Sequence, residues 1–227
     1  MDKNIKIIAC SDIHGDVDFD VDPCDILIIA GDICISNRGA DKIIRQEAWL
    51  RLCFSEWVKK QPAKEIVAVA GNHDWIWEHN PELVPHIADN FHYLCDEEIN
   101  LFGLRIYGTP QQKAFNRWAF NRNDDQLRFY YDNIPDDLDI LIVHGPPHMI
   151  FDGVERFGEL EHHGCKILRE RLLTMRKPPR FVFSGHFHRE YGKKQVEEFP
   201  QTTFVSCSLL DENYERLKNP LSMEIAN

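Results

Sequence analysis

The chain has 227 residues, 43% of them hydrophobic, which is enough to fill one substantial core and predicts a single domain over residues 1–227. Its 26 basic against 37 acidic residues give a formal net charge of -11, which argues against duplex nucleic acid or an anionic membrane as partner, because both need a surface rich in lysine and arginine. Seven cysteines without a Cys-x-x-Cys pair argue against a disulfide framework, and no apolar run reaches the roughly eighteen residues of a membrane span, so a soluble, cytoplasmic chain that keeps its N-terminus is expected.

A short apolar run of the kind buried on both faces of a sheet, followed at once by polar residues, recurs along the chain. Ile5 to Cys10 leads into Ser11-Asp12-Ile13-His14-Gly15, and Ile26 to Ala30 leads into Gly31-Asp32. Lys42 to Lys60 then returns apolar residues at three and four spacing, which predicts a helix. Ile66 to Ala70 leads into Gly71-Asn72-His73-Asp74. From Phe91 onward shorter strand-like pieces follow, at Asn100 to Leu104 and Arg105 to Tyr107. Ile140 to Val143 leads into His144-Gly145-Pro146-Pro147, Cys165 to Met175 reads as a second helix, and Phe181 to Phe183 leads into Ser184-Gly185-His186-Phe187-His188. Gln195 to Val196 and Thr203 to Val205 close the series, which predicts an α/β architecture with a second sheet packed on the first. Ligands of α/β sheets sit beyond the carboxyl ends of strands, so the polar clusters are expected to converge.

Those clusters offer the carboxylates of Asp12 and Asp32, the amide oxygen of Asn72, and the imidazoles of His14, His144, His186 and His188. A mixed oxygen and nitrogen set without thiolate suits manganese, iron, zinc or cobalt, and speaks against a closed structural zinc site. Seven ligands exceed what one ion takes, so a shared carboxylate would divide them into two sets of four. Any one fragment alone is more often a turn or a helix cap than a metal site. It is the order, and the placement of each after an apolar run, that points to a metal site.

The pattern Asp-x-His, Gly-Asp, Gly-Asn-His-Asp, a lone His and Gly-His-x-His resembles the calcineurin-like metallophosphoesterases. A narrower likeness, to a branch of small phosphodiesterases, lies in His144-Gly145-Pro146-Pro147, in Gly108-Thr109-Pro110 with Phe115-Asn116, in His162-x-Gly164-Cys165, and in Gly185-His186-x-His188-x-x-Tyr191-Gly192. The resemblance implies a four-layer α-β-β-α sandwich of two mixed sheets flanked by helices. It also implies one divalent ion on Asp12, His14 and His188, a second on Asn72, His144 and His186, and Asp32 shared, with manganese the first choice of metal. Two such ions about 3.5 to 4 Å apart can hold a bridging hydroxide for in-line attack on a small phosphodiester, such as a cyclic or oligomeric nucleotide. His73 would stand beside the phosphate as the catalytic donor, with Asp74 either steering its imidazole or forming a turn.

Around this centre His162, Trp75, Asn116 and Arg117 are candidate substrate contacts: His162 near a helix start that can hold an anion, Trp75 as a stacking face, and Arg117, beside Asn116, as a phosphate or base contact or else a solvated arginine. His163 reads as solvated, and His148 could face the pocket. Core packing competes for Trp75, and Cys10 and Cys34 read as buried hydrophobes. Asn37-Arg38-Gly39 is similar to the Asp-Arg-Gly of protein phosphatases, but Asn37 stands where that branch has aspartate, so no role is carried to Arg38. A phosphomonoesterase or nucleotidase would use the same metal ligands. A nuclease fits the acidic balance poorly, and a non-catalytic scaffold would be expected to have lost ligands that this chain keeps.

Overall fold

The computed structural model describes residues 4–36 and 39–226. Its first half runs β1 (Ile5–Cys10), β2 (Cys24–Ala30), α1 (Lys42–Trp49), a π-helical turn (Leu50–Phe54), α2 (Ser55–Lys60), β3 (Ala63–Val69), α3 (Trp75–His79), a 3-10 turn (Pro81–Leu83) and β4 (Phe91–Tyr93). The second half runs β5 (Glu97–Leu101), β6 (Leu104–Thr109), β7 (Gln112–Lys113), β8 (Asn121–Arg122), α4 (Asp124–Asp132), β9 (Ile140–Val143), β10 (Gly153–Arg156), β11 (Glu159–His162), α5 (Lys166–Thr174), β12 (Phe181–Ser184), β13 (Tyr191–Val196), β14 (Phe199–Cys207) and β15 (Leu221–Ile225).

Two large sheets result, in the orders β15-β1-β2-β3-β4 and β13-β14-β12-β9-β6-β5. Strands β1 to β4 pair in parallel, as do β14, β12, β9 and β6, while β15, β13 and β5 close edges antiparallel. Period-two alternation explains how the sheets stack. Ile7, Ala9, Ile26, Ile28 and Val67 face Ile106, Ile140, Ile142, Phe183 and Val205 between the sheets, whereas Ile8, Cys10, Leu27 and Ile29 face the α1–α3 layer. On the far side Leu141, Val143 and Val182 pack on Leu127 and Tyr131 of α4 and Leu168 and Leu172 of α5. Each Val, Leu, Ile or Phe among them, fully buried, contributes about 1.5–3 kcal/mol. The outcome is the four-layer α-β-β-α sandwich, with both parallel runs ending at one rim.

That rim is stitched by backbone. Ser11 N–H donates to Cys207 C=O at 2.9 Å and Leu209 N–H donates to Ser11 C=O at 3.1 Å, so the ends of β1 and β14 continue one ladder across the two sheets.

Several expected boundaries move. The pieces expected at Asn100 to Leu104 and Arg105 to Tyr107 are instead a hairpin whose turn is Phe102-Gly103, both with positive φ. The helix expected over Lys42 to Lys60 is interrupted by the π-helical turn, in which an extra residue is taken up while Phe54 stacks on Trp49 and Trp57. Cys165 is the N-cap of α5 and not its first turn, its Sγ accepting from Leu168 N–H at 3.5 Å. Cys10 and Cys34 are fully buried as expected, and all seven cysteines are free thiols. Among the described residues no helix is long and apolar enough to cross a membrane.

Candidate metal centre and active-site cavity

Three of the polar clusters leave their strands through a sharp bend. Asp12, Asp32 and His186 take φ of 52°, 52° and 73°, a region that costs non-glycine residues of order 1–3 kcal/mol and is kept where surrounding contacts over-determine it. Asp32 is held by His73 N–H at 2.7 Å, and Asp12 by Ser11 Oγ at 2.5 Å and His186 N–H at 3.0 Å. The glycines of the motifs answer to crowding at these bends. A Cβ on Gly31, itself at φ 93°, would collide with the His144 ring, and one on Gly185 would collide with the Ser11 hydroxyl and the Asp12 carboxylate.

The bends bring most of the predicted ligand atoms together. His188 Nε2 lies 3.2 Å from His14 Nε2 and 3.4 Å from Asp12 Oδ1. Asp32 Oδ2 lies 3.6 Å from His14 Nε2 and 3.3 Å from His144 Nε2, which is 3.1 Å from Asn72 Oδ1. Among the described residues three overlapping groups therefore have donor atoms within 4.8 Å of one another: Asp12, His14 and His188; His14, Asp32 and His73; Asp12, Asp32 and His144. His186 belongs to none of these groups, although its ring packs edge-on at 5.0 Å from that of His144.

Backbone carbonyls orient two of these rings. His144 Nδ1 is 2.9 Å from Ala30 O, and His188 Nδ1 is 2.8 Å from Asp211 O. A neutral imidazole donating from Nδ1 presents a bare Nε2, the tautomer a metal ligand requires. The donor set, its burial and its outer-shell partners all fit divalent cations.

The electrostatics agree. Burial alone would raise Asp12 and Asp32, but the neighbouring His188 and His144 imidazoles hold both carboxyls well below the usual range. Burial pulls His144 and His188 down, yet Asp32 and Asp12 outweigh it and raise both to about 9. The carboxylate field that draws protons onto these rings would equally draw a divalent cation to their Nε2 atoms, displacing the protons. By contrast burial dominates at His14 and His186, lowered to about 4 and about 3, and it also lowers His73.

His73 is fixed through its backbone, with its N–H on Asp32 and its C=O accepting from Gln46 Nε2 at 2.6 Å. Its ring lies 4.2 Å from that of Trp118, and its Nδ1 is 2.9 Å from Ser36 Oγ. Asp74 does not steer the imidazole. Its carboxylate accepts from Ile33, Cys34 and Gly71 N–H groups at 3.1, 2.7 and 2.7 Å and so ties the β2 and β3 ends together, with burial and Asp32 pushing it up to about 6.

Above the cluster opens a cavity of about 620 Å³, whose lining includes Asp32, Asn72, His73, Asn116, His186 and His188. Phe115 and Trp118 line one wall, Lys113 and Arg156 bring positive charge, Arg189 is paired with Glu212 of the same lining at 2.8 Å, and Tyr214 sits against the His14 ring at 4.8 Å. Of the four expected substrate contacts, Asn116 alone lines this cavity. Trp75 is buried in the core, stacked on His79 beneath Lys42, and Arg117 is exposed outside the lining. His162 Nδ1 is instead bound 2.6 Å from the buried Asp152, which also stands 3.4 Å from His148. His163 is solvated as expected, its side chain 38% exposed, and it also lines the cavity. Asn37 and Arg38 lie outside the described residues. Sequence reasoning missed Ser36 and Tyr214, which stand alone in their segments with no spacing pattern to mark them.

Residues 5–190 match the family described as calcineurin-like phosphoesterase. The chain belongs to that family. Human and mouse metallophosphoesterase domain-containing protein 1 are each 29% identical to it over 245 residues, covering 97% of this chain and 71% of theirs. A Caenorhabditis elegans UPF0046 protein is 25% identical over 99% of this chain and 82% of its own length. Membership makes this a metallophosphoesterase, a family that uses divalent metals, and the clustered ligand atoms are where this chain can hold them.

Proposed function

We propose that this calcineurin-like phosphoesterase hydrolyses small phosphodiesters, cyclic or oligomeric nucleotides among them, with two divalent ions of which manganese is preferred. One observation carries the reading: the Nε2 atoms of His14, His144 and His188 converge on the Asp12 and Asp32 carboxylates at the floor of an open cavity. Asp12, His14 and His188 would hold one ion, Asn72, His144 and His186 the other, and Asp32 both. Such ions would supply Lewis acidity and a nucleophile drawn from water at neutral pH.

The chain's own residues do the rest. His73 lines the cavity and donates a hydrogen bond to the leaving oxygen as the P–O bond breaks, where developing charge is largest. Asn116, Lys113 and Arg156 orient the ester, and Phe115 with Trp118 offers an apolar face to its organic substituent. A diester needs room for two substituents, which a cavity of about 620 Å³ provides. The net charge of -11 disfavours long nucleic acid, so the partner is a small phosphate ester. Seven free thiols support a reducing compartment such as the cytoplasm.

The test compares a generic aryl phosphodiester with the matching monoester, using metal-stripped chain and then added manganese. Diester turnover restored by manganese is the expected result. Preference for the monoester would replace this reading with a phosphatase, and no turnover with any of several metals would replace it with a non-catalytic role.

A further inference from the structure

We propose that Ser36 is a positioning residue that sets the tautomer of His73, in a relay that begins at the metal-holding His14; the inference rests on the metallophosphoesterase reading above. Ser36 Oγ lies 3.0 Å from His14 Nδ1 and 2.9 Å from His73 Nδ1. A hydroxyl has one proton to give and lone pairs with which to accept, so making both contacts requires one ring nitrogen to donate and the other to accept.

His14 decides the direction. Its Nε2 faces His188 Nε2 at 3.2 Å and Asp32 Oδ2 at 3.6 Å, which is where a ligand lone pair belongs. A neutral His14 holding a cation through Nε2 carries its proton on Nδ1, and that N–H donates to Ser36 Oγ. The Ser36 hydroxyl then donates to His73 Nδ1. His73 is left with its proton on Nε2, the nitrogen not engaged by Ser36, on a ring that lines the cavity.

Among the described residues Ser36 makes the one hydrogen bond to the His73 ring, although donor atoms of His14 and Asp32 lie within 4.8 Å of it. Asp32 and Gln46 bind its backbone, and Trp118 packs on its ring face. Asp74, the carboxylate nearest in sequence, is occupied by three backbone N–H groups. The relay makes a neutral imidazole a hydrogen-bond donor toward the leaving oxygen, and it couples that state to occupancy at His14.

The test uses the full chain with isotope-labelled histidines, loaded with diamagnetic zinc, and long-range proton–nitrogen correlation NMR to see which nitrogen of His73 is protonated. Wild type is expected to carry Nε2–H on His73. Ser36→Ala shifts the population toward Nδ1–H, and Ser36→Thr, which keeps the hydroxyl, restores it. Metal content is expected to be equal in all three. With manganese, kcat on the aryl diester falls about tenfold in Ser36→Ala at nearly constant KM, and Ser36→Thr stays within about threefold of wild type, the scale of outer-shell partners. Nδ1–H on His73 in wild type, identical tautomers in wild type and Ser36→Ala, or loss of metal in Ser36→Ala would each overturn the relay. Expected tautomers without phosphoester turnover would sink the functional reading and leave the relay standing. Turnover with an unmoved tautomer would do the opposite.

Discussion

At the strand ends Asp12, Asp32 and His144 are almost wholly buried, and their backbone groups are bonded from one strand end to the next. In the cavity wall Phe115, Asn116 and Lys113 are exposed and ride on the connection between β6 and α4, whose own ladder is the two-residue pair β7–β8. The floor has geometry that neighbouring strands dictate, while the walls hang on a loop joined to it at a few points, among them Ala119 N–H on Asn72 C=O at 3.1 Å and Trp118 against the His73 ring. The contrast separates two kinds of residue: those whose loss removes the chemistry and those whose loss changes what is bound.

The sharpest way to break that contrast starts on the floor. Asp32→Ala is expected to abolish metal binding and cut activity on the order of a thousandfold or more, beyond the roughly 10–100-fold typical of outer-shell partners, as elemental analysis and diester turnover would read. His73→Ala should keep both metals and lose about 10²- to 10⁴-fold in kcat, the range of a general acid–base or donor group. Metal depletion in that variant would make His73 a ligand, as its place beside His14 and Asp32 permits.

Asp74→Ala leaves three buried N–H groups without an acceptor and should cost about 3 kcal/mol in urea denaturation. Metal-stripped protein should behave differently with pH from the loaded form. His144 and His188 are raised to about 9 beside Asp32 and Asp12, so the stability they contribute is fully present below their usual 6.5 and is lost as pH rises through 9. Denaturation midpoints of the stripped protein should therefore fall across that window, and those of the manganese-loaded protein should not. Smallest of all, Phe115→Ala and Arg156→Ala should raise KM a few-fold at nearly constant kcat and shift stability by no more than about 0.5 kcal/mol. A large loss of kcat in either would place the wall within the chemistry and end the distinction.

The same contrast governs what the sequence discloses. Ile5 to Cys10 and Ile140 to Val143 are readable to the residue, because a strand buried on both faces is a continuous apolar run. The ligand motifs are readable because each needs a glycine or a bend at a strand end, and such needs leave short, fixed spacings. α4 is not, since it turns only Leu127 and Tyr131 fully inward and is otherwise polar; β15 is not, since an edge strand alternates. His162 turns to Asp152 while the solvated His163 meets the cavity, because β11 ends at His162 and neighbours along an extended chain point to opposite sides. Trp75 is a core residue because its position at the start of α3 turns it under Lys42. Ser36 acquires its place only when the segment after β2 is laid against His14 and His73, a juxtaposition no spacing encodes.

The ladder that carries β14 through Ser11 into β1 works as a clasp between the sheets. Asp12 on one side and His186 and His188 on the other are thereby locked in register, so the two halves cannot slide apart without tearing main-chain bonds at the floor itself. The connections that carry Ser36 and Asp211 are tied to the rings of His14, His73 and His188, whereas wall side chains such as Phe115 can change while the clasp keeps the two strand ends in register. A new specificity can thus arise from changed wall side chains while the ladder holds the strand ends in place beneath them.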